Sequence, residues 1–159
     1  MSTTQRQLTD QLIDIASGVK KIDQAMLDRR NIRRVPYRDF VALLLISPTG
    51  DRGRPIVLRA RNISIYGISV VSRHMIYPGS VGAMQMLRTD GRLALMGVRV
   101  KVSRYIGNME HHTGMAFMTL PHGVTAEEFL DRNGRLVLMD PQLRENLDDE
   151  KAEFAKPMR

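Results

Sequence analysis

Cysteine is absent from the 159 residues, tryptophan is absent too, and Phe and Tyr contribute only four each. Without a thiol there is no disulfide framework, no thiolate metal site and no cysteine nucleophile, and a reducing compartment is the natural setting. Long hydrophobic runs are also missing. The stretch from Val41 to Ile46 is far short of the roughly 20 apolar residues a membrane helix needs. Met1 to Asp10 is polar, with no apolar core of the kind a secretory signal carries. A cytoplasmic protein without a membrane span is therefore expected. What is present, 43% hydrophobic residues, suffices to bury the core of one domain with appendages.

Charge is unevenly placed. Residues 1–28 carry a net charge of −1 and residues 105–159 a net charge of −4. Between them, residues 29–104 hold fourteen Arg and one Lys against Asp39, Asp51 and Asp90, a net of +12. Guanidinium is a planar fork that pairs bidentately with phosphate oxygens and with the O6/N7 edge of guanine, which ammonium cannot do. The pattern points to an anionic partner. Its alternative is a solvated basic surface with no ligand.

Residues 4–28 read as one long helix. Thr4 and Gln7 form a capping-box pair, and Leu8, Leu12, Ile15, Val19, Ile22 and Met26 step by four and three along a heptad seam. Such a seam either lies along the rest of the domain or pairs with a second copy. Its 3.5-residue period fits self-association, as a homodimer or larger oligomer, better than contact with a curved sheet.

From Tyr37 to Leu120 the pattern changes to short β-rich runs. Phe40–Ser47, Ile56–Ile63, Gly67–Ser72, Val81–Leu87, Arg92–Ile106 and Thr113–Thr119 are separated by turn signals that include Tyr77-Pro78-Gly79, Thr89-Asp90-Gly91 and Gly107-Asn108. Val98, Val100 and Val102 are expected on one face of the fifth run, with Arg99, Lys101 and Ser103 on the other. Six antiparallel runs with no helix between them predict a mainly β chain built on a small six-stranded barrel. After Pro121, a capping box of Thr125 and Glu128 opens a short helix over Ala126–Arg132, ended by Asn133-Gly134. Residues 143–159 are highly charged and read as a frayed helix or a disordered tail.

Catalytic constellations are scarce. His111 and His112 are expected in a hairpin loop where adjacent imidazoles point apart, with only Glu110 nearby, so no metal site is expected. Ser64 lacks the G-x-S-x-G elbow of a nucleophile. The expectation is a binding protein with no catalytic residues and no cofactor.

Two elements carry information. The first is Arg29-Arg30-Asn31-Ile32-Arg33-Arg34, a connector ahead of the first barrel strand, where Pro36 biases Val35 to an extended conformation and stops the helix. The second is Asn62-Ile63-Ser64-Ile65-Tyr66-Gly67 at a strand end. There Asn62 and Ser64 share a face by alternation, and Gly67 offers both positive φ and the absence of a Cβ that would block a ligand. Taken singly, they read as a basic linker and a strand ending in a turn.

In this order, and with six strands placed around them, they resemble the PilZ domain family, bacterial receptors of cyclic di-GMP. The family's R-x-x-x-R pattern is matched by Arg30 and Arg34; Arg29 and Arg33 fit it as well, but Val35-Pro36 looks more like the continuation after the family's second arginine. Its [D/N]-x-S-x-x-G pattern is matched by Asn62, Ser64 and Gly67. The resemblance extends through Gly97-Val98-Arg99-Val100 and Thr113-Gly114-Met115-Ala116-Phe117, and covers about 29–121.

It implies a PilZ-like barrel with the arginine connector folded over its face; the N-terminal helix within 1–28 and the short C-terminal helix and charged tail over 122–159 lie outside the resemblance. It also implies cyclic di-GMP as the ligand of Arg29, Arg30, Arg33, Arg34, Asn62, Ser64 and Gly67, with an unidentified downstream protein as partner. The competing readings are a basic barrel that binds nucleic acid, disfavoured by the few aromatic platforms, and a scaffold that binds proteins without nucleotide.

Overall fold

The computed structural model describes residues 3–19 and 34–143. Helix α1 (Thr3–Ala16) is followed by a two-residue strand β1 (Val35–Pro36). Six longer strands come next: β2 (Phe40–Ile46), β3 (Ile56–Ile63), β4 (Gly67–Ser72), β5 (Val81–Leu87), β6 (Leu93–Gly107) and β7 (Glu110–Met118). All pairings are antiparallel in the order β3-β2-β5-β6-β7-β4, and β4 returns to pair with β3, which closes the barrel. Strand β1 lies outside this ring on the edge of β3, with Val35 opposite Ile63 and Pro36 opposite Asn62. An edge is where a residue without an N–H belongs in a sheet.

The alternation read from the sequence holds where the ladders are regular. Ile68 and Val70 of β4, Met84 and Met86 of β5, Met96, Val98 and Val100 of β6 and Met115 of β7 point into one core. Register shifts interrupt it at three places, the last between Tyr105 and Gly107 at the end of β6. The other two fall at Arg61, between Ala60 and Asn62, and at Lys101, between Val100 and Val102. A bulge places two successive side chains on the same face. Val102 is consequently 49% exposed and not in the core with Val98 and Val100.

Other expectations need correction in the same physical terms. The helix closes at Ala16, not near residue 28. Ser17 donates its backbone N–H to Ile13 O, and Gly18 adopts φ 81°, a left-handed cap open to glycine and costly for other residues. On the heptad seam, Leu8, Leu12 and Ile15 pack into the chain's own barrel core, together with Ile13 from off the seam. Ile22 and Met26 lie outside the described residues, as does the tail from 144. His111 and His112 sit in β7, because β6 and β7 are joined by a turn of only Asn108 and Met109, both at positive φ. The short C-terminal helix is a single 3-10 turn, Ala126–Phe129, and its capping box of Thr125 and Glu128 is present. The chain then doubles back through a Leu130–Leu136 bridge.

This C-terminal segment builds a second core outside the barrel. Val124, Phe129 and Leu138 cover Phe40, Ala42 and Leu44 of β2 and Ala83 of β5. Arg52 fastens it from the β2–β3 loop, with Nε donating to Glu128 at 2.9 Å and Nη2 donating to His122 O at 3.3 Å.

Helix α1 covers the barrel end formed by the β3–β4 and β5–β6 turns. Its apolar side meets the core, and its acidic side is held by Arg88. That guanidinium bonds Asp14, reaches Asp90 at 3.1 Å and Asp10 at 3.7 Å, and is largely buried. Thr89 donates both its N–H and its hydroxyl to the Asp10 carboxylate at 2.8 Å. Bonds from Arg88 and then Arg92 hold the Asp90 carboxyl far below the usual carboxylate range. A depressed carboxyl stabilises the fold above its unfolded pKa near 3.8, and that contribution disappears only as pH falls through the folded value. The clamp is therefore intact at neutral pH.

Arg88→Ala is expected to destabilise the protein by about 2 kcal/mol in urea unfolding, since three carboxylates lose their common partner. Hydrogen exchange should show α1 losing protection before the barrel does.

Candidate functional site

Sheet order decides which part of the barrel wall stays open. The C-terminal segment covers the outside of β2 and β5, whereas the outer faces of β4, β7 and β6 hold a cleft of about 220 Å³. Arg34, Asn62, Ser64, Tyr66 and Gly67 line one side of it, and Lys101 and Val102 the other. Arg34 arrives there because β1 continues β2 along the edge of β3. Tyr37 N–H donates to Arg61 O and Ala60 N–H donates to Asp39 O, so the connector is brought to the end of β3, next to Asn62.

The Asn-x-Ser-x-x-Gly element is the β3–β4 turn. Ser64 N–H donates to Gly67 O at 2.9 Å, while Ser64 Oγ accepts from Tyr66 N–H at 3.2 Å and Gly67 N–H at 3.3 Å. A hydroxyl has two acceptor lone pairs and one donor hydrogen. The turn uses the acceptors, which leaves the donor for a ligand acceptor. The Asn62 amide is half-buried and has no hydrogen-bond partner among the described residues. The bulge at Arg61 turns both Arg61 and Asn62 outward, while Ser64 is 8% exposed and faces the cleft from the turn.

Gly67 is required for a reason other than positive φ, which it does not have. A Cβ there would lie 2.0 Å from Met115 O, so the glycine makes room for β7. Gly67, Ser69, Gly114 and Ala116, all short, line the cleft where β4 meets β7. Ser69 is 3% exposed, and its hydroxyl has no hydrogen-bond partner.

Several residues of the cleft escaped the motif reading: Tyr66 as an aromatic wall, Ser69, Lys101 and His112 as polar lining, and Arg61 and Arg104 as neighbouring charges. Burial, then the positive charges of Arg104, Arg61 and Arg34, push the His112 imidazole below its ordinary value. It is neutral at pH 7. The signal that could have found this wall was the pair of short residues at 114 and 116 beside a basic strand. Glu110, His111 and His112 do not converge: Glu110 pairs with Arg59, His111 meets the Tyr105 ring edge-on at 5.5 Å, and His112 faces the cleft. Of the arginines read from the sequence, Arg34 is in the cleft; Arg29, Arg30 and Arg33 lie outside the described residues.

No family model matches the chain, and no curated protein does. Among solved structures it is similar to K. pneumonia MrkH, at 14% identity and TM-score 0.36 over 76% of this chain and 49% of that one. A second MrkH structure, in its apo state, aligns at 15% identity and TM-score 0.37 over 80% and 54%. The Borreliella burgdorferi PlzA protein in complex with c-di-GMP aligns at 10% identity and TM-score 0.38 over 96% and 60%. The chain thus spans about half to three-fifths of the length of these proteins. At such identities and TM-scores the likeness carries no argument about ligand or partner.

Two substitutions separate the turn's structural role from its role toward a ligand. Gly67→Ala should cost more than about 3 kcal/mol, because a methyl cannot share space with a backbone carbonyl. Ser64→Ala should cost about 1 kcal/mol for the lost turn bonds. Thermal melts of both variants check this order.

Proposed function

We propose that the chain is a PilZ-type receptor that binds cyclic di-GMP in the cleft between the β3–β4 turn and β6. The observation that carries the reading is convergence: Arg34, Asn62, Ser64 and Gly67, from two separate sequence elements, line one cleft over a floor of short side chains. A guanine offers O6 and N7 acceptors to a guanidinium, and a phosphodiester offers anionic oxygens to Arg and Ser. Arg34 and the free Ser64 hydroxyl hydrogen suit those acceptors, and Asn62 supplies a donor and an acceptor for a base edge. Arg29, Arg30 and Arg33, which precede Arg34 in the sequence, would supply further guanidinium groups to the same ligand.

Aromatic placement favours this reading over a nucleic-acid-binding barrel. Tyr37 and Phe40 are buried in the two cores, and among the described residues Tyr66 is the one Tyr or Phe lining the cleft. Single-strand binders stack successive bases on successive rings. One ring suits one base.

Nucleotide binding has a route to the N-terminal helix. Ile65 and Tyr66 share a cavity of about 440 Å³ with Ile15, Ala16, Ser17 and Gly18, so a ligand held against Tyr66 also sets the end of α1. Regulation of a downstream protein partner, and any self-association through residues 4–28, would use that end.

Calorimetric titration with cyclic di-GMP tests the reading and counts ligands. A dissociation constant in the micromolar range, about −8 kcal/mol, is expected. Arg34→Ala and Arg30→Ala should each weaken binding at least about tenfold at an unchanged melting temperature, as should Asn62→Ala. Cyclic di-AMP should bind more weakly, because adenine puts an amino donor where guanine has O6. Equal affinity for both dinucleotides, or unchanged affinity in the two arginine variants, overturns the assignment.

A further inference from the structure

The cleft has a wall that neither sequence motif includes. Along the sheet it runs from the end of β3 across β4 and β7 to β6. At about 4.8 Å per strand, Asn62 on β3 and Lys101 on β6 are roughly 14 Å apart at backbone level, and both carry side chains that reach inward. The far wall exists because of the bulge at Lys101, which turns Lys101 and Val102 outward together and leaves Arg104 opposite His112 on the outer face. Without that bulge, the residues after Lys101 would present their other face to the cleft.

Its charges are uncommitted. Elsewhere on the barrel Arg52, Arg59, Arg88 and Arg92 each hold a carboxylate. Lys101 and Arg104 hold none among the described residues. His112 stands between the two walls, lining the cleft with Arg34 and Lys101. The charged groups around it are Arg34 from the connector, Arg61 from β3, Arg104 across the ladder on β6, and the Arg59–Glu110 pair, which balances itself. Strand β4 contributes only Val71 and Ser69. Burial first, and then three guanidinium groups with no anion among them, lower the pKa of an imidazole placed there.

We propose that Lys101, Arg104 and His112 form a second anion-binding wall, which takes a phosphate on the side of the ligand away from Arg34 and binds it together with a proton. The proposal rests on the cyclic di-GMP reading and extends its site. A phosphate seated between His112 and the guanidinium groups offsets their field at the ring, and the imidazole gains and keeps a proton with which it hydrogen-bonds a phosphate oxygen. The sign follows from linkage. The His112 pKa is low in the free protein and higher in the complex, so affinity rises as pH falls through the bound-state value and levels off below the free-state value.

The test is titration of the full chain with cyclic di-GMP at pH about 5.5, 6.5 and 8, each in two buffers of different ionisation enthalpy. Wild type should take up a fraction of a proton per ligand near pH 6 and bind about tenfold more tightly at the acid end than at the alkaline end, for each unit by which the pKa rises. His112→Gln should bind without proton uptake or pH dependence. The Lys101→Ala, Arg104→Ala double variant should lose at least about tenfold in affinity at an unchanged melting temperature. The His112 imidazole NMR resonance of wild type, titrated with and without ligand, reads the same pKa rise without any substitution. Binding that releases or takes up no proton, with the double variant unaffected, overturns the second wall and leaves the ligand reading standing. Failure of wild type to bind at any pH overturns the ligand reading, and the wall with it.

Discussion

Strand β4 approaches β7 because the residue that begins it has no side chain. Gly67 pairs with Ala116 across the last ladder of the barrel, and the space a Cβ would need is filled by Met115 O. A side chain there would break the ladder at its Gly67–Ala116 end, and that ladder is what keeps the six strands a ring and not a sheet with two edges. The turn that delivers Gly67 is itself fixed by Ser64, through one backbone bond and two side-chain bonds. Closure and cleft are thus made by the same four residues. That is why the Asn-x-Ser-x-x-Gly spacing has so little freedom: Ser64 must be three residues before Gly67 to close a turn, and Asn62 must follow the bulge to face outward.

The outside of the barrel is divided between apolar cover and open charge. Phe40, Ala42, Leu44 and Ala83 are the outward residues of β2 and β5, and they take the C-terminal segment. Val57 of β3 and Leu93 and Leu95 of β6 join that covered side, whereas Arg59, Arg61, Arg99, Lys101, Arg104 and His112 of β3, β6 and β7 could not be covered by an apolar segment without stranding charges. The excess of +12 in residues 29–104 is therefore partly structural and partly free. Arg52, Arg59, Arg88 and Arg92 hold the C-terminal segment, the hairpin and the helix in place. Arg34, Arg61, Lys101 and Arg104 surround the cleft and its histidine.

The strands were legible because each has a regular period between unambiguous turns; the observed bounds of β3, β4 and β5 coincide with the expected ones, and β2 is one residue shorter. What the period could not reveal are its interruptions. A bulge at Arg61 or Lys101 leaves no mark in composition, since an extra outward residue looks like any other polar residue, and so Val102 was placed inside and the basic wall of β6 was missed. The helix was overextended for a related reason. A heptad seam reports which residues are apolar, not what they face, and a single glycine at 18 weighs little against six apolar steps until its φ of 81° is seen. Gly67 is legible as necessary, yet nothing in the pattern marks the Met115 carbonyl of β7 as the neighbour that its missing Cβ accommodates.

Magnitudes decide where a ligand-driven change has to occur. Helix α1 is attached by burial of Leu12, Ile13 and Ile15, each worth about 2 kcal/mol, and by the Arg88 clamp, about 2 kcal/mol more. One contact between Arg34 and a phosphate is worth about 1.5–3 kcal/mol before the ordering of the connector is counted. That one contact, taken alone, is too weak to lift α1 off its end. On either side of the connector the described backbone is fixed, by Ser17 and Gly18 at the helix terminus and by Val35 and Pro36 against β3. Tyr66 lines both the cleft and the cavity at the helix end, so it is the described side chain through which the proposed ligand would bear on α1.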